Sequence, residues 1–211
     1  MNPLLVRADD APPQPWRNGL GRTRELLARP APADWWVRVS VADIERDAPF
    51  SAFPGVERWF AVLKGAGVDL HVGAAVHRLV RGDAPLRFDG AQPARCRLLD
   101  GPTRDLNLML RGAWGGMVVV DDELPWRPHA ATCGLFSAVS GRCTWRDDDG
   151  AVLDAADVPP YALLWFDGAP PQLEFRAAER PAAVAGWWLS ASPGSAPALA
   201  SAAAAADPRI P

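Results

Sequence analysis

The segment Asp105–Arg111 carries the side chains best suited to binding chemistry. Asp105, Asn107, Met109 and Arg111 alternate along it with three leucines. Because a β-strand has a period of two, the acid, the amide, the thioether and the guanidinium share one face, and the leucines share the other. A polar strand face turned to solvent produces the same pattern. From this segment alone, a surface strand and a strand that lines a binding site are both open.

Two further segments repeat this alternation. Arg38 and Ser40 alternate with valines in the range 36–42, and Thr23 and Glu25 also lie two residues apart. Strands of a small barrel direct alternate side chains to the interior, where a few polar groups near the mouth can hold a ligand. Three such strands therefore indicate a shared concave pocket.

These residue types point to recognition of a small carboxylate. Arg38 and Arg111 can bind a carboxylate through charge-assisted hydrogen bonds, and we predict that Arg111, with Arg38 beside it, is the anchor. Neutral donors and acceptors would come from Thr23, Ser40 and Asn107. Glu25 and Asp105 can orient the arginines or receive an ammonium group. The set suits ligand recognition better than catalysis.

Two turns flank these strands. Between Trp16 and Thr23, Gly19 and Gly21 follow an asparagine, which predicts a tight turn with positive φ or a close backbone approach. Their spacing excludes a GxGxxG dinucleotide loop. The aromatic, proline-rich range 48–55 joins two strands, and its two phenylalanines suit either core packing or the rim of a pocket.

Metal and nucleophile chemistry are poorly supported by the sequence. The histidines are His71, His77 and His129, without a His-x-His pair or a spaced glutamate, so we predict no bound metal and no cofactor. No Gly-x-Ser-x-Gly elbow occurs. The three cysteines, Cys96, Cys133 and Cys143, are widely spaced, and we predict that they are buried free thiols.

Charge and hydropathy argue against two classes of partner. The formal net charge of the 211 residues is −3 and there is no basic tract, so nucleic-acid binding is not expected. No run of about 18 apolar residues occurs, and residues 1–7 lack the pattern of a secretory signal. We therefore predict a cytoplasmic protein without membrane contact.

The spacing of turn residues indicates an all-β protein. The 22 prolines and 18 glycines divide the chain into short segments rich in Val, Leu, Phe and Trp. A strand, a glycine turn and a strand recur at 63–67 and 139–143, which favours two similar units. We predict two small jelly-roll barrels in one compact unit, 1–113 with the pocket and 114–190, and a low-complexity tail, 191–211. This tail is expected to be disordered or loosely attached, with a short helix over its alanines left open.

The ordered motifs of the first half of the chain resemble the HutD/Ves family. They are Trp16-Arg17-Asn18-Gly19 with Gly21, Thr23 and Glu25; Trp36-x-Arg38-x-Ser40-x-Ala42; Pro49-Phe50-Ser51-x-Phe53-Pro54-Gly55 with Arg58; Leu63-x-Gly65-x-Gly67; and Asp105-x-Asn107-x-Met109-x-Arg111. The resemblance implies a bicupin fold and a role in moderating histidine utilisation by binding an intermediate such as formylglutamate or urocanate. The chain departs from the family pattern at Arg17, Leu20 and Leu110.

With the resemblance included, the candidate ligand-binding residues are Asn18, Thr23, Glu25, Arg38, Ser40, Arg58, Asp105, Asn107 and Arg111. Non-catalytic binding of a small carboxylate is the favoured function. The alternative is a metal-independent cupin enzyme, an isomerase or lyase, with Glu25 or Asp105 as its base. A structural or partner-binding role also stays open, as does a homodimer.

Overall fold

The computed structural model of the protein describes residues 2–121 and 124–195. This part of the chain is all-β, as predicted. Its strands are, in chain order, β1 (Leu4–Arg7), β2 (Pro13–Pro15), β3 (Gly21–Ala31), β4 (Asp34–Ile44), β5 (Ala48–Phe50), β6 (Val56–Lys64), β7 (Val68–Val72), β8 (Ala75–Leu79), β9 (Leu86–Asp89), β10 (Ala94–Leu98), β11 (Thr103–Arg111), β12 (Ala113–Val119), β13 (Thr132–Ser137), β14 (Gly141–Arg146), β15 (Val152–Val158), β16 (Ala162–Phe166), β17 (Gln172–Ala177) and β18 (Gly186–Pro193). Among the described residues there is no helix of the length and hydropathy needed to cross a membrane.

The strands form four sheets with antiparallel pairing. The first half of the chain contributes a six-stranded sheet, β2-β3-β4-β11-β6-β9, and a four-stranded sheet, β5-β10-β7-β8. The second half contributes most of a five-stranded sheet, β1-β16-β13-β18-β12, and a three-stranded sheet, β15-β14-β17. Short strands joined by glycine and proline turns favour antiparallel pairing over parallel pairing, which needs long crossovers.

Three apolar clusters arrange these sheets as layers of two sandwiches. Phe60 and Leu70 belong to the interior of the first sandwich, between the six-stranded and four-stranded sheets. Phe175 and Trp188 belong to the interior of the second sandwich, between the five-stranded and three-stranded sheets. The largest cluster lies between the sandwiches, where the other faces of the six-stranded and five-stranded sheets meet. Each large side chain buried in these layers contributes about 1.5–3 kcal/mol to stability.

Strand β11 separates the central layer from the interior of the first sandwich. Its leucines, Leu106, Leu108 and Leu110, are buried in the central layer. The alternating side chains, Asn107 and Met109 among them, therefore point into the first sandwich. The polar face of this strand is thus buried, and the surface-strand interpretation of the sequence is wrong.

The predicted boundaries of the first unit, 1–113, and of the tail, 191–211, differ from those in the structure. Strand β1 pairs with β16 of the five-stranded sheet, so residues 1–113 do not form the first unit alone. The last strand continues to Pro193, and Ala191 and Ser192 are buried against β12 and β13. Composition misled at this point because small side chains bury little apolar surface of their own, whereas pairing with β12 and β13 and packing in the layers of the fold still bury Ala191 and Ser192. The rest of the predicted tail, from residue 196, lies outside the described residues, as does the helix over its alanines.

Candidate functional site

A cavity of about 380 Å³ opens into the first sandwich. Its floor is the inner face of β3, β4, β6 and β11, and its walls come from the turn before β3 and from β5 with the residues that follow it. The lining residues are Pro15, Trp16, Arg17, Asn18, Thr23, Arg38, Ser40, Ala42, Pro49, Phe50, Ser51, Phe53, Arg58, Asn107 and Met109. This size suits a small organic molecule.

Strand register brings four polar floor residues together. Asn107 on β11 pairs with Ser40 on β4, and Met109 pairs with Arg38 on β4 and with Arg58 on β6. Directly paired residues of an antiparallel sheet point to the same face, so these side chains converge on one patch. The sequence prediction that β4 and β11 share a polar face around a pocket agrees with this geometry.

Arg58 is the buried cation of the cavity. Only 7 % of the residue is exposed. One terminal nitrogen of its guanidinium donates a hydrogen bond to Oδ1 of Asn107 over 3.1 Å, while its Nε has no hydrogen-bond partner. Burial, together with the nearby positive charge of Arg38, lowers the pKa of Arg58 from 12.5 to about 10. A bound anion would therefore offset the free-energy cost of burying the charged guanidinium.

Three aromatic rings surround this guanidinium. The Arg58 carbon Cζ lies 5.0–5.7 Å from the centroids of three rings, which belong to Phe50, Phe53 and Phe88. A cation at this distance is attracted by the ring quadrupole. Phe50 and Phe53 also line the cavity, and each packs against a buried apolar cluster as well, so the two phenylalanines combine core packing with a place in the cavity wall.

Arg38 differs from Arg58 because its charge is already paired. Its Nε donates a hydrogen bond to a carboxylate oxygen of Glu25 over 2.7 Å. One terminal nitrogen also lies 4.0 Å from the Met109 sulfur. Glu25 does not line the cavity, and its structural part is to hold and neutralise Arg38.

The turn between β2 and β3 forms the rim. The Trp16 indole nitrogen donates a hydrogen bond to the Thr23 hydroxyl over 2.8 Å, and Oδ1 of Asn18 accepts one from the backbone N–H of Leu20 over 3.0 Å. A Cβ at Gly21 would lie 2.6 Å from the Asp43 carbonyl oxygen, so this position requires glycine, as the predicted close approach demands.

Three predicted site residues do not line the cavity, namely Glu25, described above, Asp105 and Arg111. Asp105 points into the same sandwich but is completely buried at its closed end, where one carboxyl oxygen accepts a hydrogen bond from Thr103 and the other has no partner. Burial raises the pKa of this carboxyl well above its usual value. Arg111 is exposed at the end of β11, with its guanidinium 4.2 Å from the centroid of the Trp35 ring. The apolar cluster that includes Trp35 and Met109 closes the cavity before Arg111 is reached.

Sequence reasoning placed Arg111 in the pocket, whose lining does not include it, and left Trp16 out although Trp16 lines the cavity. The signal for Arg58 was present, because it is the single charged residue among the inward positions of β6, next to Val56 and Phe60. The signal for Trp16 was its place directly before the glycine turn that contributes the rim. In both cases the residue lies against aromatic rings of other strands, and only the fold brings these rings to it.

Other reactive side chains stand apart from this cavity. No group of three or more His, Cys, Asp or Glu residues within 2–121 and 124–195 is arranged to hold a metal ion. The three cysteines are buried free thiols, and burial raises the pKa of each of them, to about 12 for Cys143. This agrees with the prediction made for them from spacing.

Comparison with known proteins places this geometry in a family. The HutD family model matches residues 8–182. Protein Ves of Cronobacter sakazakii is 37 % identical over 155 residues, which cover 73 % of this chain and 82 % of that protein. An uncharacterised 21.2 kDa protein in the hutC 3′ region of Pseudomonas putida is 38 % identical over 109 residues, or 50 % of this chain. That match spans only 56 % of the Pseudomonas putida protein.

Solved structures extend the comparison to the fold. HutD from Pseudomonas fluorescens SBW25 superimposes with a TM-score of 0.75 at 25 % identity, covering 90 % of this chain and 98 % of that one. Oxalate decarboxylase of Bacillus subtilis superimposes with a TM-score of 0.62 at 8 % identity, covering 90 % of this chain and 77 % of that one, which shows a shared cupin-like fold alone. By its family match and its relatives, the chain belongs to the HutD/Ves family.

Proposed function

We propose that this protein binds a small carboxylate in the cavity of its first sandwich, with Arg58 as the anchor, and catalyses no reaction on it. The observation that carries the proposal is the buried guanidinium of Arg58, which lines the cavity, is surrounded by three rings and has an unsatisfied Nε. A carboxylate can accept two parallel hydrogen bonds from such a planar donor. Ser40 and Asn107 lie on the same floor and can hold the rest of the ligand's polar groups.

The placement of the carboxylates supports binding over catalysis. A general base must reach the proton that it removes, directly or through one water. Glu25 is engaged by Arg38, and Asp105 is sealed at the closed end of the sandwich. The alternative of an isomerase or lyase that uses either residue as its base is therefore disfavoured.

The family gives the proposal its setting. A relative in the hutC 3′ region and a solved HutD relative link this family to a histidine-utilisation locus. We propose a cytoplasmic protein whose two sandwiches are the two jelly-roll units of a bicupin, and whose ligand is a pathway intermediate such as formylglutamate or urocanate. Binding would moderate the pathway by responding to the level of that intermediate.

A thermal-shift titration with formylglutamate and urocanate tests the proposal. A ligand that binds only the folded state stabilises it by about 2.7 kcal/mol at a hundred times its dissociation constant, so the melting temperature should rise and saturate. Arg58→Gln should abolish the rise, and Arg111→Ala, an arginine outside the cavity, should retain it. Ligand recovered unchanged supports binding alone, whereas its conversion would favour the enzyme. If neither compound nor any other small carboxylate shifts the transition, the proposal is wrong.

A further inference from the structure

We propose that a groove at the edge of the five-stranded sheet is a second binding site, which takes a planar aromatic acid between tryptophan side chains. The groove has a volume of about 300 Å³, and we call it the tryptophan groove. Its lining includes Trp59, Trp114, Gly116, Trp126, Arg127 and Ser190. It shares no lining residue with the cavity around Arg58, so this proposal does not depend on the carboxylate binding proposed there.

The floor of the tryptophan groove contains two small residues on neighbouring strands. Gly116 of β12 and Ser190 of β18 are register partners. The adjacent pair, Met117 and Leu189, is buried in the central layer between the sandwiches. Because side chains alternate along a strand, Gly116 and Ser190 face away from that layer. Two small residues side by side leave space above this face of the sheet.

The packing of the protein does not require glycine at position 116. Among the described residues, a Cβ there would have only the Trp59 ring within 4 Å, at the ordinary contact distance of 3.4 Å. At Gly115, by contrast, a Cβ would lie 2.0 Å from the Ser190 carbonyl oxygen. Glycine weakens the interior of a strand, and it often marks a point where a ligand approaches closely. The space over Gly116 is therefore open to a ligand.

Three indoles from different parts of the chain form the walls of the groove. Trp59 belongs to β6 of the first sandwich, Trp114 to β12, and Trp126 to the segment between β12 and β13. Trp126 is well anchored, because its ring stacks on Trp188 at a centroid distance of 5.0 Å and its backbone pairs with Leu173. All three wall indoles are only partly buried. Their convergence on one space favours a flat aromatic ligand, which such rings bind by offset stacking or edge-to-face contact.

The charges at the groove indicate which aromatic ligands it takes. Arg127 and His129 line it, and none of its described lining residues is acidic. Within residues 2–121 and 124–195, neither Arg127 nor His129 forms an ion pair. An unpaired guanidinium can donate hydrogen bonds to a carboxylate. A cationic ligand, which indoles alone would attract, would be repelled by Arg127.

Naphthoate, its amide and the naphthylmethylammonium ion, substituted at the same ring position, form a matched set of probes that differ in charge. Calorimetry in wild type and in Arg58→Gln, where the first cavity lacks its cation, measures their binding. In Arg58→Gln we expect one naphthoate per chain, bound about threefold more tightly than the amide, as an exposed ion pair allows. The ammonium ion should bind most weakly. Arg127→Gln should remove the preference for the acid, and Arg95→Gln, an exposed arginine outside the groove, should keep it.

Gly116→Val tests where the probe binds. Valine suits a strand, and its side chain would occupy the space over position 116, so naphthoate affinity in the Arg58→Gln background should fall by about tenfold or more. Thermal melts establish whether the variant is folded. A folded Gly116→Val that binds naphthoate unchanged, or naphthoate binding that is lost in Arg58→Gln alone, would overturn the proposed site. Should Gly116→Val fail to fold, the surface variant Arg127→Gln still decides, since an unchanged preference for the acid would refute the role of the groove.

Discussion

Replacing Arg58 by methionine tests whether Arg58 serves ligand binding or the stability of the fold. Methionine has a similar unbranched shape but no charge. In the folded protein 7 % of Arg58 is exposed, and its guanidinium donates a hydrogen bond to Asn107. Removing a buried charge that lacks an ionic partner should not weaken the fold, whereas removing an anion anchor should abolish binding.

Two opposing effects set the expected change in the free energy of unfolding. The pKa of Arg58 falls from 12.5 to about 10 through burial, and at about 1.4 kcal/mol per pKa unit this disfavours the charged form by about 3 kcal/mol. The three phenylalanine contacts contribute about 0.5–1 kcal/mol each. Methionine keeps part of this contact through its sulfur. We therefore expect Arg58→Met to leave the stability unchanged or to raise it by about 1 kcal/mol.

Urea unfolding and calorimetry of carboxylate binding measure the two consequences on the same protein. Arg87→Met is a matched control, because Arg87 also lies over an aromatic ring, that of Trp59, but is exposed and paired with Glu57. It should change neither stability nor binding appreciably. A loss of more than about 1 kcal/mol of stability in Arg58→Met, with binding retained, would show that the residue is structural and refute the reasoning.

Three further outcomes follow from the site and its surroundings. Arg111→Ala should change carboxylate affinity by less than about twofold in calorimetry, because Arg111 lies outside the cavity over Trp35. Asp105→Asn should gain stability over the wild type as the pH rises from about 4 to about 7 in urea titrations. The reason is that burial raises the pKa of Asp105, so the folded wild type holds a proton that the unfolded chain releases in this pH range. A difference in the free energy of unfolding between variant and wild type that does not change with pH would contradict this prediction. A thiol reagent should modify the folded protein slowly and the unfolded protein at once, because burial raises the thiol pKa values of Cys96, Cys133 and Cys143.

Period-two alternation was enough to predict which side chains share a face. Arg38, Ser40 and Asn107 were assigned to one pocket from spacing alone, and strand register brings them together. This part is predictable because the pleat of a strand fixes the direction of alternate side chains whatever their neighbours are. The resemblance added Arg58, which is not part of a run of alternating polar residues.

The position of each side chain along the cavity, and the partner of each strand, could not be predicted from alternation. Asp105 and Arg111 have the correct parity, but Asp105 is completely buried at the closed end of the sandwich, and Arg111 lies beyond the apolar cluster that closes the other end of the cavity. Where a cavity begins and ends depends on side chains of other strands, such as Trp35 at one end. The pairing of β1 with β16 likewise depends on contacts between distant parts of the chain, which local pattern does not encode.

The two faces of β11 differ, one packing in the apolar central layer and the other lining the cavity, and this difference explains how the first sandwich can keep a polar interior that contains a cavity. Its leucines lie in the central layer with Trp187 and Leu189 of the second sandwich, and each such buried side chain contributes about 1.5–3 kcal/mol. That layer offsets the cost of about 3 kcal/mol that the charge of Arg58 incurs. Because the two faces belong to one strand, a register slip of one residue would turn the leucines into the cavity and Asn107 into the apolar layer. The core that stabilises the fold thus also fixes which side chains line the cavity.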